Sequence, residues 1–203
     1  MAGGVTSSLT RLGGGLSSIA AGALLVIGHI LNLGGDSKYG TVLGSSLVLA
    51  AHVLLVFALV ALYAAQAERS GILGDLGMVL SVIGTTLASG VVLVEVAGAS
   101  GAEVEAVTEM GVSGALSALA GLAFLVGLIL FGVATMRASV FQRWAGLLLI
   151  IGDVVFGAGS LAGPLAPLIF VLGAVITCAG FAWLGLDLLS GSDPSTPRPA
   201  RVG

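Results

Sequence analysis

Residues 59–80 read LVALYAAQAERSGILGDLGMVL, two apolar segments joined by QAERSG, which carries a glutamate and an arginine. Followed outward, the first segment reaches back to about 41 and the second runs on to about 97. Each is long enough to cross ~30 Å of hydrocarbon at ~1.5 Å per residue. The runs are continuous, without the ten-residue alternation of a barrel strand. Helices that satisfy their own backbone are therefore the assignment. A charged connection between two such helices does not rest inside lipid, so the stretch predicts a hairpin with its turn at a membrane surface.

The same pattern recurs along the chain. It predicts six transmembrane helices at about 14–33, 41–65, 72–97, 110–136, 143–163 and 166–189, an all-α polytopic bundle forming one domain over 1–190. The tail 191–203, GSDPSTPRPARVG, lacks apolar periodicity and is expected to be disordered. Composition agrees: 57% of residues are hydrophobic, 8% are charged and the mean hydropathy is +1.17, well outside the range of soluble domains. The first run has only Arg11 before it and lacks a clear cleavage site, so it reads as a retained helix rather than a signal peptide.

Six spans also sort the basic residues. Arg11, Arg69, Arg137, Arg143, Arg198 and Arg201 then share one side, and Lys38 lies on the other. By the positive-inside bias both termini are cytoplasmic, in a multi-pass protein of the cell membrane. Tyr63 and Trp144 at one level and Tyr39 at the other suit the aromatic belts. The outer connection GASGAEVEAVTE carries Glu103, Glu105 and Glu109 with no basic residue, and reads as a solvated surface. Ser100 followed by Glu103 is a capping-box pattern that would start the fourth span early. A helix over 101–136 would measure roughly 54 Å, so it either projects outward or breaks near Gly111 and Gly114.

Helices in lipid associate through close packing at small residues, and the 33 glycines supply them. Stripes run through Ser113, Ser117 and Gly121, and through Gly146, Asp153, Gly157 and Ser160. The ionisable residues share such faces. Ser18, Gly22 and His29 fall on one line, Thr41, Ser45 and His52 on another, and Gly77, Gly84, Ala88 and Glu95 on a third. They are thereby expected inside the protein, where charged groups of membrane helices pair or meet water. His52 and Asp153 lie near mid-membrane and could pair. His29 and Glu95, with Asn32 one turn beyond His29, lie nearer the outer surface and could form an outer site. Asp75 and Asp187 read as hydrated caps or interface residues.

Several chemistries are excluded or weakened. Lys38 is the only lysine and sits in a loop, which rules out a retinal Schiff base in the bundle; no GxxxxGK[ST] loop and no G-x-S-x-G elbow is present. There is no basic cluster for nucleic acid. Cys178 is the sole cysteine, so no intramolecular disulfide and no CxxC site exists. A zinc site from His29, His52 and Glu95 has acceptable ligand types but needs different depths reconciled by tilt. Bis-histidine haem ligation is opposed by an offset of roughly 8 to 10 Å between His29 and His52 at ~1.5 Å per residue.

At LYAAQAERSGILGDLG, 62–77, and LFGVATMRASVFQRWAGLLLIIG, 130–152, the chain resembles an uncharacterised set of small bacterial six-helix integral membrane proteins with no assigned activity. The resemblance implies a six-helix topology and points to a histidine ending the first span, one early in the second and a glutamate late in the third, matching His29, His52 and Glu95. Asp153 departs from that pattern. The expectation is a protein of the lipid bilayer that binds or passes a small molecule or ion through an outward-facing polar cavity lined by His29, Asn32, His52, Glu95 and Asp153. No cofactor is expected, and a metal- or haem-binding membrane enzyme using His29 and His52 is the alternative.

Overall fold

In the computed structural model, which describes residues 8–35, 38–105, 107 and 111–190, the backbone at Gly71 takes φ 57° and ψ −166°. Glycine tolerates this because it has no Cβ to clash with the neighbouring carbonyl. The chain reverses there. Tyr63 donates its hydroxyl to Asp75 Oδ1 at 2.6 Å, and Thr85 donates to the backbone carbonyl of His52 at 3.3 Å. Neither contact could exist in a straight rod.

Among the described residues the helices are α1, Ser8–Asn32; α2, Val42–Ala99; α3, Gly111–Ala138; α4, Arg143–Gly159; and α5, Ala166–Ser190, preceded by a 3-10 turn at Gly163–Leu165. The helix α2 comprises two antiparallel arms, 42–70 and 72–99. Four helices, α1, α2, α3 and α5, are long and apolar enough to cross a membrane. With 17 residues α4 is shorter, because it stops at Gly159 where 143–163 was expected.

Small residues set the packing. A methyl group at Gly14 would overlap Ala61, at Gly15 it would overlap Leu189, and at Gly84 the backbone of Phe124. The other close approaches are Gly127 with Ser81, Gly132 with Gly146, and Gly152 with Thr177. Across each of these seams residue numbers rise on one helix as they fall on the other. The arms and helices thus form a closed antiparallel ring: α1, the first arm of α2, its second arm, α3, α4, α5 and back to α1.

Two ends follow. The first holds the described termini, the Gly71 turn and the α3–α4 turn; the second holds the remaining turns. Arg11, Arg69, Arg137 and Arg143 belong to the first end and Lys38 to the second. Between the middle and the first end, Leu55, Leu59, Leu62, Leu128, Phe131, Leu149, Phe181 and Leu184 fill the interior and are fully buried. Apolar residues also cover the outside, among them Phe57, Ile72, Leu93, Leu122, Leu168 and Leu186, an amount that a water-soluble monomer rarely shows.

Three sequence expectations need correction. Ser100 does not start a helix: it ends α2. Gly101, at φ 94°, donates its N–H to Gly98 O at 3.0 Å, and Ala102 donates to Ala97 O at 3.1 Å, the bond pair of a Schellman stop. Glu105 and Val107 are helical and the described part of α3 runs from Gly111, while Glu109 lies outside the described residues, as does the tail 191–203. QAERSG is not a loop throughout, since Gln66 and Ser70 are buried residues of the first arm. Finally, the stripe Ser113, Ser117, Gly121 is not one packed seam: Gly121 is exposed with nothing near it, Ser113 and Ser117 line a cavity beside the second arm, and α3 packs through Ala120, Ala123, Gly127 and Ala134.

Candidate functional site

His29 sits in the last turn of α1. Its ring meets Phe156 of α4 edge-on, with centroids 5.2 Å apart at 65°, and lies over Phe170 of α5 at 6.4 Å and 28°. The two phenylalanines contact each other at 4.9 Å. His29 Nε2 is buried without a hydrogen-bond partner. Three helices therefore meet at this aromatic cluster near the second end.

His52 is half-buried in the first arm of α2. Its Nδ1 lies 2.9 Å from Val48 O, one turn back, which makes Nδ1–H the donor. The His52 ring centroid lies 6.1 Å from that of Phe124, with the rings tilted at 44°. Counting residues along the helix-to-helix contacts, His52 lies opposite Thr85 and level with Phe124, a layer that also contains Asp153.

Asp153, on α4, is 3% exposed, and its Oδ2 has no hydrogen-bond partner. The expected His52–Asp153 pair does not form: among the described residues no hydrogen bond or ion pair joins them. The reason is helix geometry, since His52 satisfies itself on its own backbone while Asp153 projects from the opposite side of the ring. Ser81, on the second arm, adds a buried hydroxyl without a partner.

Asn32 and Glu95 lie apart from this layer. Asn32 Oδ1 accepts from the Thr41 N–H at 2.9 Å and from the Thr41 hydroxyl at 3.3 Å, and Asn32 Nδ2 donates to Ser45 Oγ at 3.4 Å. It ties α1 to the start of α2, where Thr41 caps the helix by accepting from the Gly44 N–H at 3.0 Å. Glu95, half-buried one turn before the end of α2, makes no hydrogen bond with His29.

No known protein family, curated protein or solved structure matches this chain. The local chemistry must then speak alone. Among the described residues no three His, Cys, Asp or Glu side chains converge as a metal-ligand set, so His29, His52 and Glu95 do not assemble the zinc site. Each imidazole packs on phenylalanine, His29 on Phe156 and His52 on Phe124.

The sequence reading missed a second polar contact. Gln66, 1% exposed, donates from Nε2 to Thr135 Oγ1 at 3.0 Å, while its Oε1 is buried without a partner. The signal was present: Leu55, Leu59, Leu62 and Gln66 continue one buried stripe at helical spacing. It also missed that Lys38 reaches Glu105 at 2.6 Å, which gives the acidic connection a basic partner from another loop. Asp187 acts as an interface cap, its Oδ2 accepting from the Gln142 N–H ahead of α4 at 3.0 Å. A cavity of about 240 Å³ between the second arm and α3, lined by Thr86, Gly90, Val94, Leu116 and Ser117 among others, touches none of the five predicted residues.

Proposed function

We propose that the protein is a six-span integral membrane protein, both termini cytoplasmic, that binds a small molecule or ion in a polar chamber reached from the outer side. The observation that carries this reading is the vertical division of the interior. The half nearer the second end holds His29, His52 and Asp153, with unpartnered atoms on His29 and Asp153. The half nearer the first end is packed mainly with leucine and phenylalanine, and its buried polar residues, Ser18, Gln66, Ser70, Ser81 and Thr135, are all uncharged. On this reading a ligand enters from the second end and the packed leucines and phenylalanines stop it from passing to the first.

The membrane part of the reading rests on the apolar exterior and on four arginines at one end against Lys38 at the other, in keeping with the positive-inside bias. Counted as arms, α2 supplies two spans. Helix α4, at ~26 Å by the ~1.5 Å rise, is accommodated by slight local thinning of the bilayer, at fractions of a kcal/mol per Å.

Thiol labelling tests it. In a Cys178→Ala background, Glu103→Cys should react with a membrane-impermeant maleimide added outside intact cells and Arg69→Cys should react only after lysis. His52→Cys should react with a small water-soluble thiosulfonate from outside, and Leu62→Cys should not. Protection of position 52 from both sides overturns the chamber, and outside labelling of position 69 overturns the topology.

A further inference from the structure

The second arm of α2 and helix α3 approach closely at Gly77 with Phe131, Ser81 with Gly127 and Gly84 with Phe124. Beyond Gly84, toward the second end, the contact is lost. A methyl group at Gly90 would meet nothing within 4 Å, and the space left between the helices is the cavity of about 240 Å³ walled by Thr86, Gly90 and Val94 on one side and by Leu116 and Ser117 on the other. The result is a crevice that narrows toward the Gly84–Phe124 approach. It opens sideways, since Thr86, Gly90 and Leu116 are exposed, and the exposed Leu93, Leu119 and Leu122 continue the apolar exterior around it.

Size, chemistry and depth select the occupant. A helix with its side chains is ~10–12 Å across, too wide to enter, so a further span of this or another chain does not fill the space. An apolar cavity of ~150 Å³ accepts a benzene ring, and one of this volume accommodates a stretch of alkyl chain. None of the described lining residues is charged, and the Ser117 hydroxyl is engaged on the Ser113 carbonyl at 3.0 Å, which leaves little to hold a headgroup or an ion. From Val94 to Thr86 the crevice lies ~8 to ~20 Å from the end of the arm at Ala99, at ~1.5 Å per residue. That is the level of the acyl chains in one leaflet of a bilayer whose hydrocarbon core is ~30 Å thick. A void without partner atoms forfeits dispersion contacts along its lining, and the lipid chains outside restore them. Resting on the membrane placement of the protein and not on its polar chamber, we propose that this crevice seats one acyl chain of a phospholipid from the leaflet at the second end.

The test is photolabelling of the full chain in phosphatidylcholine bilayers doped with a phosphatidylcholine that carries a diazirine midway along one chain, followed by peptide mapping. Because the gain is a handful of dispersion contacts, label on residues 86–94 and 113–117 should exceed that around the equally exposed Phe57 and Leu168 by at least about threefold. Gly90→Leu fills the crevice and should bring that excess down to the level found elsewhere. Gly121→Leu adds the same bulk where there is open space outside the lining, and should label as the parent does. Even labelling around the whole perimeter, or an excess that survives Gly90→Leu, would overturn the assignment. Should Gly90→Leu fail to purify, Ser117→Leu on the facing helix decides in its place. A minor proportion of free oleate should leave the excess unchanged; its loss would give the crevice to a free fatty acid and overturn the phospholipid. Even labelling defeats this inference alone, whereas a protein that takes no label on any segment defeats the membrane placement beneath it.

Discussion

The Ser18 hydroxyl donates to the backbone carbonyl of Phe181 at 2.7 Å, joining residues 163 apart in the chain. This bond lies in the seam where α1 meets α5 and closes the ring of helices. Both partners are buried, and the carbonyl keeps its place in its own helix. Interhelical bonds of this kind average about 0.6 kcal/mol in membranes, so Ser18→Ala should cost about 0.5 to 1.5 kcal/mol in a reversible mixed-micelle unfolding experiment. Ser18→Leu should cost more, because Gly185 lies against the Ser18 side chain.

Gln66 and Thr135 present the opposite balance. Their single bond leaves Gln66 Oε1 buried and unpartnered, and replacing both members of such a pair by apolar groups of similar shape is nearly neutral or stabilising. The double variant Gln66→Leu with Thr135→Val should therefore unfold at or above the parent midpoint. Gln66→Ala alone should lose about 2 to 4 kcal/mol by opening a cavity. A double variant as unstable as the single one would contradict this account.

Two glycines separate packing from helix propensity. A methyl group at Gly84 would overlap the backbone of Phe124, whereas Gly121 has open space around it. Gly84→Ala should destabilise by about 1 to 3 kcal/mol through overpacking. Gly121→Ala should be neutral or stabilise by up to about 1 kcal/mol, since alanine favours helix over glycine. Denaturant midpoints of the two variants provide the check.

Acid should loosen the outer loops in a defined direction. Lys38, through its hydrogen bond and charge, holds the Glu105 carboxyl below the usual carboxylate value. A group depressed on folding contributes stability that is present above its unfolded pKa and lost as pH falls through the folded one. Amide protection around residue 105, taken relative to intrinsic exchange at each pH, should thus be greatest near neutrality and fall on acidification below the ordinary glutamate range. Lys38→Ala should remove that dependence. Because both side chains are largely exposed, the effect belongs to the loops and will shrink with added salt.

Length and hydropathy were sufficient to read helices, the turn near Gly71 and the inward lines of Ser18, Ser45 and Gly84, because burial in a helix repeats with its own period. The end of α2 was misread for a local reason. Ser100 and Glu103 form a start signal, but Gly101 beside them can take the left-handed conformation that stops a helix, and a stop and a start compete for the same residues.

What the chain determined by itself was which segments are helical, roughly where they turn and which faces carry small residues, all consequences of local spacing. The partners of the polar groups were decided only by tertiary structure. Depth along a helix can be counted in sequence, but azimuth around a closed ring cannot. His52 and Asp153 share a level without bonding, Gln66 finds Thr135, and His29 meets Phe156 and Phe170, because those contacts depend on which helices become neighbours and how each is rotated against the next.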